Sequence, residues 1–87
     1  MYEIEVRKEC VRVLTKLAKK DKKSSLYISK KIKQIKENPY RFKPLKKPMQ
    51  NFWRVHIGSY VLVYSIHENN KKVIIEKYEN HDKVYLD

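Results

Sequence analysis

The sequence predicts an α+β fold in the order β-α-α-β-β-β, an antiparallel sheet with a two-helix hairpin packed on one face. Apolar and polar residues alternate over residues 2–7 and 51–57, as they do in half-buried strands. Between these segments, residues 8–37 follow a helical period, and residues 60–67 form an almost unbroken apolar run that is typical of a central strand. The length suits a single domain, which we expect to cover residues 1–87.

The helices are predicted from their apolar stripes and from the signals at their ends. The first covers residues 8–20, and the second ends near Glu37, because Asn38 precedes a proline and is pushed out of the α region. The N-cap of the second helix is expected at Ser24 or Ser25, whose hydroxyl can accept a backbone N–H. The residues predicted to face the sheet are Cys10 or Val11, Leu14, Leu17, Ala18, Ile28, Ile32 and Ile35.

Residues 51–67 are predicted to form the hairpin around which the rest of the chain is organised. Gly58 and Ser59 supply its turn, and Gly58 is the only glycine in the sequence. Because strand side chains alternate between faces, Arg54 and His56 lie together on one face of the first strand. The opposite face, which is expected to cover the core, carries Trp53, Val55 and Ile57.

The segments on either side of this hairpin are less regular. Residues 38–50 are expected to form an irregular loop that its prolines stiffen and that Leu45 anchors to the core. A turn at residues 68–71, with an asparagine suited to positive φ, leads into a last strand at residues 72–78. The chain beyond that strand is polar, and Val84 and Tyr85 are candidates for docking on the body of the domain.

Positive charge is concentrated in the first part of the chain. Residues 1–50 hold 16 Lys or Arg against 5 acidic residues, whereas residues 51–87 hold 5 of each. The net charge of +11 favours a polyanionic partner, either nucleic acid or an acidic protein, over a surface that is merely solvated. The lysines interpreted as RNA-binding are Lys30, Lys33, Lys43, Lys46 and Lys47.

Several kinds of site and location find no support in the sequence. The single cysteine, Cys10, excludes an internal disulfide, fits a reducing compartment and is interpreted as a packing or surface residue. No apolar run could span a bilayer and no signal peptide is visible, so we expect a cytoplasmic protein without a membrane partner. No metal or other cofactor is expected, since the sequence shows no cluster of metal ligands and no glycine-rich phosphate loop.

The available side chains suit the cleavage of RNA without a metal. That reaction needs a base for the 2′-hydroxyl, stabilisation of a phosphorane and an acid for the leaving 5′-oxygen. Candidate catalytic residues are Arg54, His56, His81 and Tyr85, with Lys46 and Lys47 on the loop. Spacing alone places only Arg54 and His56 together, and the alternative is that both are ordinary solvated residues. Tyr60, Tyr64 and Tyr78 are interpreted as core or sheet-edge residues rather than stacking platforms.

Four segments combine aromatic, basic and glycine positions in a familiar pattern: PLKKP, FWRVHIGSYVLVYSI, VIIEKY and NHDKVY. Together they resemble the RelE/ParE superfamily of toxin–antitoxin toxins, the RelE branch more closely. The resemblance implies a RelE-like, microbial RNase-like fold and a metal-independent, ribosome-dependent endoribonuclease that cleaves mRNA in the A site and inhibits translation. It also implies contacts with ribosomal RNA and neutralisation by an acidic RelB-like antitoxin, in a heterodimer or heterotetramer.

The resemblance assigns roles to individual residues. The loop basic position of the family falls on Lys46 or Lys47, and its two strand-borne positions fall on Arg54 and His56. Its C-terminal tyrosine, which stacks on the mRNA base or takes part in proton transfer, corresponds to Tyr85.

Two departures from the family pattern affect the expected activity. Val61 stands where the family usually has an arginine aimed at the scissile phosphate, and His81 stands near a second usual arginine. Loss of a phosphate clamp would weaken the nuclease unless other cations compensate. The alternatives are a ParE-like inhibitor of DNA gyrase without nuclease activity and a catalytically weakened RNA-binding relative.

Overall fold

The structure, a computed structural model, describes residues 1–46 and 51–85, except for the side chain of Tyr85. Its elements are β1 (Glu3–Val6), α1 (Lys8–Lys20), α2 (Lys22–Glu37), β2 (Lys43–Pro44), β3 (Phe52–Ile57), β4 (Tyr60–His67), β5 (Lys72–Asn80) and α3 (His81–Tyr85). The α+β class is confirmed, and β2 and α3 are additions to the predicted order. Within the described ranges, no helix combines the length and apolarity that crossing a bilayer requires.

The described strands form one sheet in the order β1-β5-β4-β3-β2. β4 is central, as its apolar run predicts, and the pairs β2–β3, β3–β4 and β4–β5 are all antiparallel. β1, however, runs parallel to β5, with Glu3 opposite Lys72 and Val6 opposite Ile75. The prediction of an antiparallel sheet is therefore wrong for this pair. Parallel pairing is possible here because most of the chain separates the two strands, whereas a short hairpin would force them to be antiparallel.

The helix pair packs on one face of the sheet. α1 and α2, joined by Asp21, contact each other and the sheet, and α1 has its predicted bounds. Cys10 rather than Val11 completes the stripe of α1, since Val11 is 46% exposed. Burial raises the pKa of the Cys10 thiol to about 11, so this residue packs rather than reacts. The buried core on this face includes Cys10, Ile28, Ile35, Val55, Ile57, Leu62, Tyr64, Val73 and Ile75.

Two local features differ from those predicted. α2 begins earlier than expected because Asp21, rather than Ser24 or Ser25, is its N-cap, and the Asp21 carboxylate accepts the backbone N–H of Ser24 at 3.0 Å. In the turn between β4 and β5, the residue at positive φ is Lys71, at 52°, and not an asparagine. The backbone N–H of Lys71 donates to the carbonyl of Glu68 at 3.1 Å, which closes this turn.

The sheet face opposite the helices is partly covered. Val84 of α3 and Leu45, which follows β2, are buried there against Val61 and Val63 of β4 in a second, smaller core. Leu45 is held in place by its backbone N–H, which donates to the carbonyl of Phe52 at 2.8 Å. Leu45 as anchor and Val84 as docking residue are thus both confirmed, and together they cover part of this face.

Candidate active site

The basic side chains of the candidate site lie on β3. Alternation along this strand places Val55 in the helix-side core and leaves Arg54 and His56 on the opposite face, as predicted. The β3–β4 ladder pairs Arg54 with Val63 and His56 with Val61, so apolar residues of the second core flank both. The two basic side chains therefore lie at the border of the second core.

β2 brings a further cation to this face. Lys43 is paired with Arg54 across the β2–β3 ladder, and residues directly opposite each other project to the same side of a sheet. The short β2 strand is thus the reason that part of the predicted irregular loop has a fixed position. Two neighbouring cations of this kind suit the binding of phosphate oxygens.

The start of α3 brings His81 to the same place. The Asn80 side-chain oxygen caps the helix by accepting the N–H of Asp82 at 3.0 Å, and the N–H of His81 donates to the Ser59 carbonyl at 2.9 Å. These bonds fix the beginning of α3 on the turn between β3 and β4. The rings of His56 and His81 are stacked, with centroids 5.2 Å apart and planes inclined at 28°.

The surroundings of His56 favour its neutral form. Burial lowers the pKa of His56, and the positive charges of Arg54, His81 and Lys43 lower it further. Across the stack, a carboxylate oxygen of Asp82 lies 3.6 Å from Nδ1 of His81, which is the distance of an ion pair whenever that ring carries a proton. A neutral imidazole beside one that can hold a proton is an arrangement suited to acid–base chemistry.

The chemistry open to this face follows from its residue types. Arg54 and Lys43 can neutralise phosphate oxygens, and two imidazoles can accept and release protons. Over residues 1–46 and 51–85, no three His, Cys, Asp or Glu side chains are grouped closely enough to hold a metal ion. The described side chains of this face therefore offer proton transfer and electrostatic stabilisation.

Comparison with known proteins identifies the family. A sequence model described as the ParE toxin of the type II toxin–antitoxin system parDE matches residues 4–77. The chain belongs to this toxin family. It is thus a type II toxin–antitoxin toxin of the RelE/ParE superfamily, as the resemblance implied.

Relatives and solved structures agree with this assignment. The putative toxin RelE4 of Methanocaldococcus jannaschii is 45% identical to this toxin over 86 residues, which are 98% of this chain and 92% of that protein. The YoeB/ParE toxin from Agrobacterium tumefaciens has the same fold, with a TM-score of 0.82 at 17% identity, covering 91% of this chain and 98% of that one. A chain of the intact E. coli RelBE toxin–antitoxin complex has a TM-score of 0.79 at 17% identity, covering 92% and 96%.

Val61, the position at which the resemblance expects an arginine, has a structural role in this toxin. Its side chain is 0% exposed and packs in the second core with Leu45, Val63 and Val84. Because Val84 belongs to α3, this contact helps to hold α3, the helix that carries His81, against the sheet. The residue at this position therefore contributes packing rather than charge.

The lysines predicted on α2 lie on the other side of the sheet from the histidine stack. Lys30 and Lys33 are exposed on α2, whose buried residues Ile28 and Ile35 face the sheet. Since α2 and His56 are on opposite faces of the sheet, these lysines point away from the site. They form a separate basic surface of the toxin.

The remaining predicted residues lie at or beyond the limits of the described chain. Lys46 is exposed and directly follows the buried Leu45, at the margin of the second core. Lys47 lies outside the described residues. The backbone of Tyr85 ends α3, but its side chain lies outside the description as well.

Two residues that position the site were absent from the predicted set. Asn80 precedes the short helix as its N-cap, and an asparagine before a helical segment is a signal that a sequence can show. Ser59 acts through its backbone carbonyl, which accepts the N–H of His81. Every residue type carries such a carbonyl, so no side-chain pattern could have revealed this contact.

Proposed function

We propose that this toxin is a metal-independent, ribosome-dependent endoribonuclease that cleaves mRNA in the ribosomal A site. The observation that carries the proposal is the stack of His56 and His81 on the face that also presents Arg54. It supports cleavage of RNA because that reaction needs a proton acceptor, a proton donor and a cation for the phosphorane within one site.

The proposed step divides the proton transfers between the two histidines. Neutral His56 takes the proton of the 2′-hydroxyl, whose oxygen attacks the adjacent phosphorus. The bond between phosphorus and the 5′-oxygen breaks, and protonated His81 gives its proton to that oxygen, leaving a 2′,3′-cyclic phosphate and a 5′-hydroxyl. Arg54 and Lys43 stabilise the charge of the phosphorane, and Tyr85 stacks on the mRNA base.

The charge of the toxin supports the proposed partners. With a net charge of +11, it is suited to ribosomal RNA, which we expect to contact Lys30, Lys33, Lys46 and Lys47. We also infer an acidic RelB-like antitoxin that neutralises the toxin in a cytoplasmic heterodimer or heterotetramer. This inference is supported by the E. coli RelBE structure, a toxin–antitoxin complex in which one chain has the same fold as this toxin.

Primer extension on a defined mRNA, with and without programmed ribosomes, tests the proposal. Wild-type toxin should produce cuts only when ribosomes are present, and His56→Gln and Arg54→Ala should abolish them. His67→Gln, which changes a histidine at the far end of β4, is the matched control and should cut normally. Cuts that persist in the His56 and Arg54 variants would support ribonuclease activity but show that these two residues do not carry it.

A second candidate function is inhibition of DNA gyrase without RNA cleavage. One observation favours it: the family model that matches the chain is that of ParE toxins. The absence of an arginine at Val61 agrees with such a role. A supercoiling assay with the purified toxin distinguishes the two, because the ribonuclease proposal expects gyrase to remain active. Ribosome binding without any cuts would instead indicate a catalytically weakened relative.

A further inference from the structure

A groove lies beside the tip of the β3–β4 hairpin, on the helix side of the sheet and outside the site described above. It has a volume of about 580 Å³, and its lining includes Leu17, Ile57, Tyr60, Lys16 and Lys20. A smaller groove of about 190 Å³ adjoins it, shares Ser24, Ile57 and Gly58 with it, and adds Lys23 and Tyr27. Together they form one surface, here called the hairpin-tip groove.

Two tyrosine rings are available in the hairpin-tip groove. Tyr60 is 41% exposed, and its ring is stacked on that of Tyr78, with centroids 5.0 Å apart and planes inclined at 15°. Tyr78 itself is only 8% exposed, so it supports Tyr60 from beneath. Tyr27 is 51% exposed, and Lys31 lies over its ring, 5.3 Å from the centroid. A fixed ring with an exposed surface is a stacking platform for any nucleobase.

The rim of the groove is positively charged. Lys16, Lys20 and Lys23 line it and are exposed. Among the described residues, the lining contains one carboxylate, that of Asp21, which accepts hydrogen bonds from the N–H and the hydroxyl of Ser24, at 3.0 and 2.7 Å, and interacts electrostatically with Lys23. The three lysines outnumber this carboxylate, so the rim keeps a net positive charge that suits an anionic ligand.

The hairpin-tip groove and the candidate active site lie on the two sides of the same turn. The Ser59 carbonyl holds the backbone of His81 on one side, while Gly58 and Tyr60 line the groove on the other. Gly58 has a φ of +63°, and apart from its two chain neighbours no described residue has a heavy atom within 4 Å of the position a Cβ would take, so the turn is open above it. A polynucleotide that leaves the histidine stack can pass round this turn into the groove.

We propose that the hairpin-tip groove binds the nucleotides of single-stranded RNA that flank the cleavage site. Bases stack on Tyr60 and then on Tyr27, and Lys16, Lys20 and Lys23 contact the phosphates. Aromatic side chains along a positively charged groove are the features by which proteins bind single strands with little sequence preference. The inference rests on the proposed function, because the RNA it assigns to the groove is the substrate of the histidine site.

The test uses a fluorescent RNA hexamer with 2′-O-methyl riboses, which cannot be cleaved, and one 5-bromouridine. Binding of the free toxin is measured by fluorescence anisotropy at low salt. Tyr60→Leu should weaken binding about tenfold, whereas Tyr60→Phe should retain it, because the ring and not the hydroxyl makes the contact. Lys20→Ala should also weaken binding, and Lys19→Ala, a neighbour that does not line the groove, is the matched control.

Ultraviolet irradiation of the same complex shows directly which residues contact the RNA. The bromouridine should crosslink to Tyr60 or Tyr27, and peptide mass spectrometry locates the crosslink. Equal affinity of Tyr60→Leu and wild type, or crosslinks confined to the face of His56, would overturn the proposal. So would a Tyr60→Leu variant that binds RNA normally but has lost affinity for an acidic antitoxin, since the groove would then be a protein-docking surface.

The same variants in the ribosome assay separate this proposal from the proposed function. Arg54→Ala should abolish cleavage and leave hexamer binding to the groove intact. If hexamer binding depends on Tyr60 but the wild-type toxin cleaves nothing, RNA binding in the groove would be supported and the ribonuclease proposal refuted. If the wild-type toxin cleaves mRNA but Tyr60→Leu and Tyr27→Leu keep the wild-type affinity for the hexamer, the ribonuclease proposal would be supported and RNA binding in the groove refuted.

Discussion

The imidazole of His81 lies against that of His56, with ring centroids 5.2 Å apart, although one residue starts α3 and the other belongs to β3. Burial and the positive charges of Arg54, His81 and Lys43 lower the pKa of His56, so its neutral form is favoured beside a second imidazole. Two adjacent imidazoles can supply a base and an acid in the same catalytic step.

The pKa of His56 should respond to the charges around it. Replacing Arg54 by Ala removes a positive charge that disfavours protonation, so the pKa of His56 should rise toward the ordinary value of 6.5. NMR titration of the imidazole protons measures the shift, and Arg12→Ala on the outer surface of α1 serves as the control. A pKa that is unchanged or falls in Arg54→Ala would contradict the assignment.

Asn80 should act as a positioning residue through the cap of α3. Asn80→Ala removes the acceptor of the Asp82 N–H and should cost about 1 kcal/mol of stability. It should also release His81 from the stack and change the ring-current shift of His56 in NMR spectra. Asn80→Asp retains an acceptor and should preserve the stack. Equal spectra for the Ala and Asp variants would show that the cap does not position the histidine.

An arginine introduced at Val61 should damage the fold rather than restore a phosphate clamp. The side chain is 0% exposed in the second core, and an uncompensated buried charge costs roughly 3 kcal/mol or more. Urea unfolding should therefore show a large loss of stability for Val61→Arg. Val61→Met, which is comparably long but uncharged, should lose less. A stable Val61→Arg variant with faster cleavage would mean that the position can face the substrate.

Glu68 should make the stability of the fold depend on acid pH. Its carboxylate accepts hydrogen bonds from the hydroxyls of Tyr2 and Tyr40, at 2.8 and 2.6 Å, and from Lys71 Nζ at 2.5 Å. Bonds from Lys71, Tyr40 and Tyr2 lower its pKa from 4.5 to about 2. A depressed carboxyl pKa stabilises the fold above the unfolded pKa, and this contribution is lost as pH falls from about 4.5 to about 2.

Chemical unfolding across this pH range checks the contribution of Glu68. The difference in unfolding free energy between wild type and Glu68→Gln should be constant above pH 5 and should shrink toward about pH 2. Tyr40→Phe removes one of the donors and so raises the folded-state pKa of Glu68; in that background the loss should be smaller and should be complete at a higher pH. A difference that stays constant down to pH 2 would show that the carboxylate contributes nothing through its charge.

Local features of the fold could be predicted because they depend on short stretches of sequence. The helical period of apolar residues predicted the observed bounds of α1, and strand alternation predicted that Arg54 and His56 share one face of β3. Leu45 and Val84 were recognisable as isolated apolar residues in polar surroundings. Each of these inferences needed only the neighbours of a residue along the chain.

Features that depend on distant contacts could not be predicted in the same way. Apolar and polar residues alternate along β1 in the same way whether its partner strand is parallel or antiparallel. The alternation therefore could not indicate that β1 pairs in parallel with β5. The place of His81 depends on the Ser59 carbonyl, and the burial of Val61 depends on α3 covering it. The N-cap at Asp21 was missed for a simpler reason, since three residues in that segment are suitable caps.

The parallel pairing of β1 with β5 also sets the order in which the toxin can assemble during translation. Among the described strands, β1 has no neighbour other than β5, so β1 must wait for its partner until residues 72–80 have been synthesised. Contacts between such distant segments close late, because the loop entropy must be lost before they form. His81 emerges later still. A nascent toxin therefore has its helices and its central hairpin before it has a complete sheet, and the histidine stack forms only after all the strands have been synthesised.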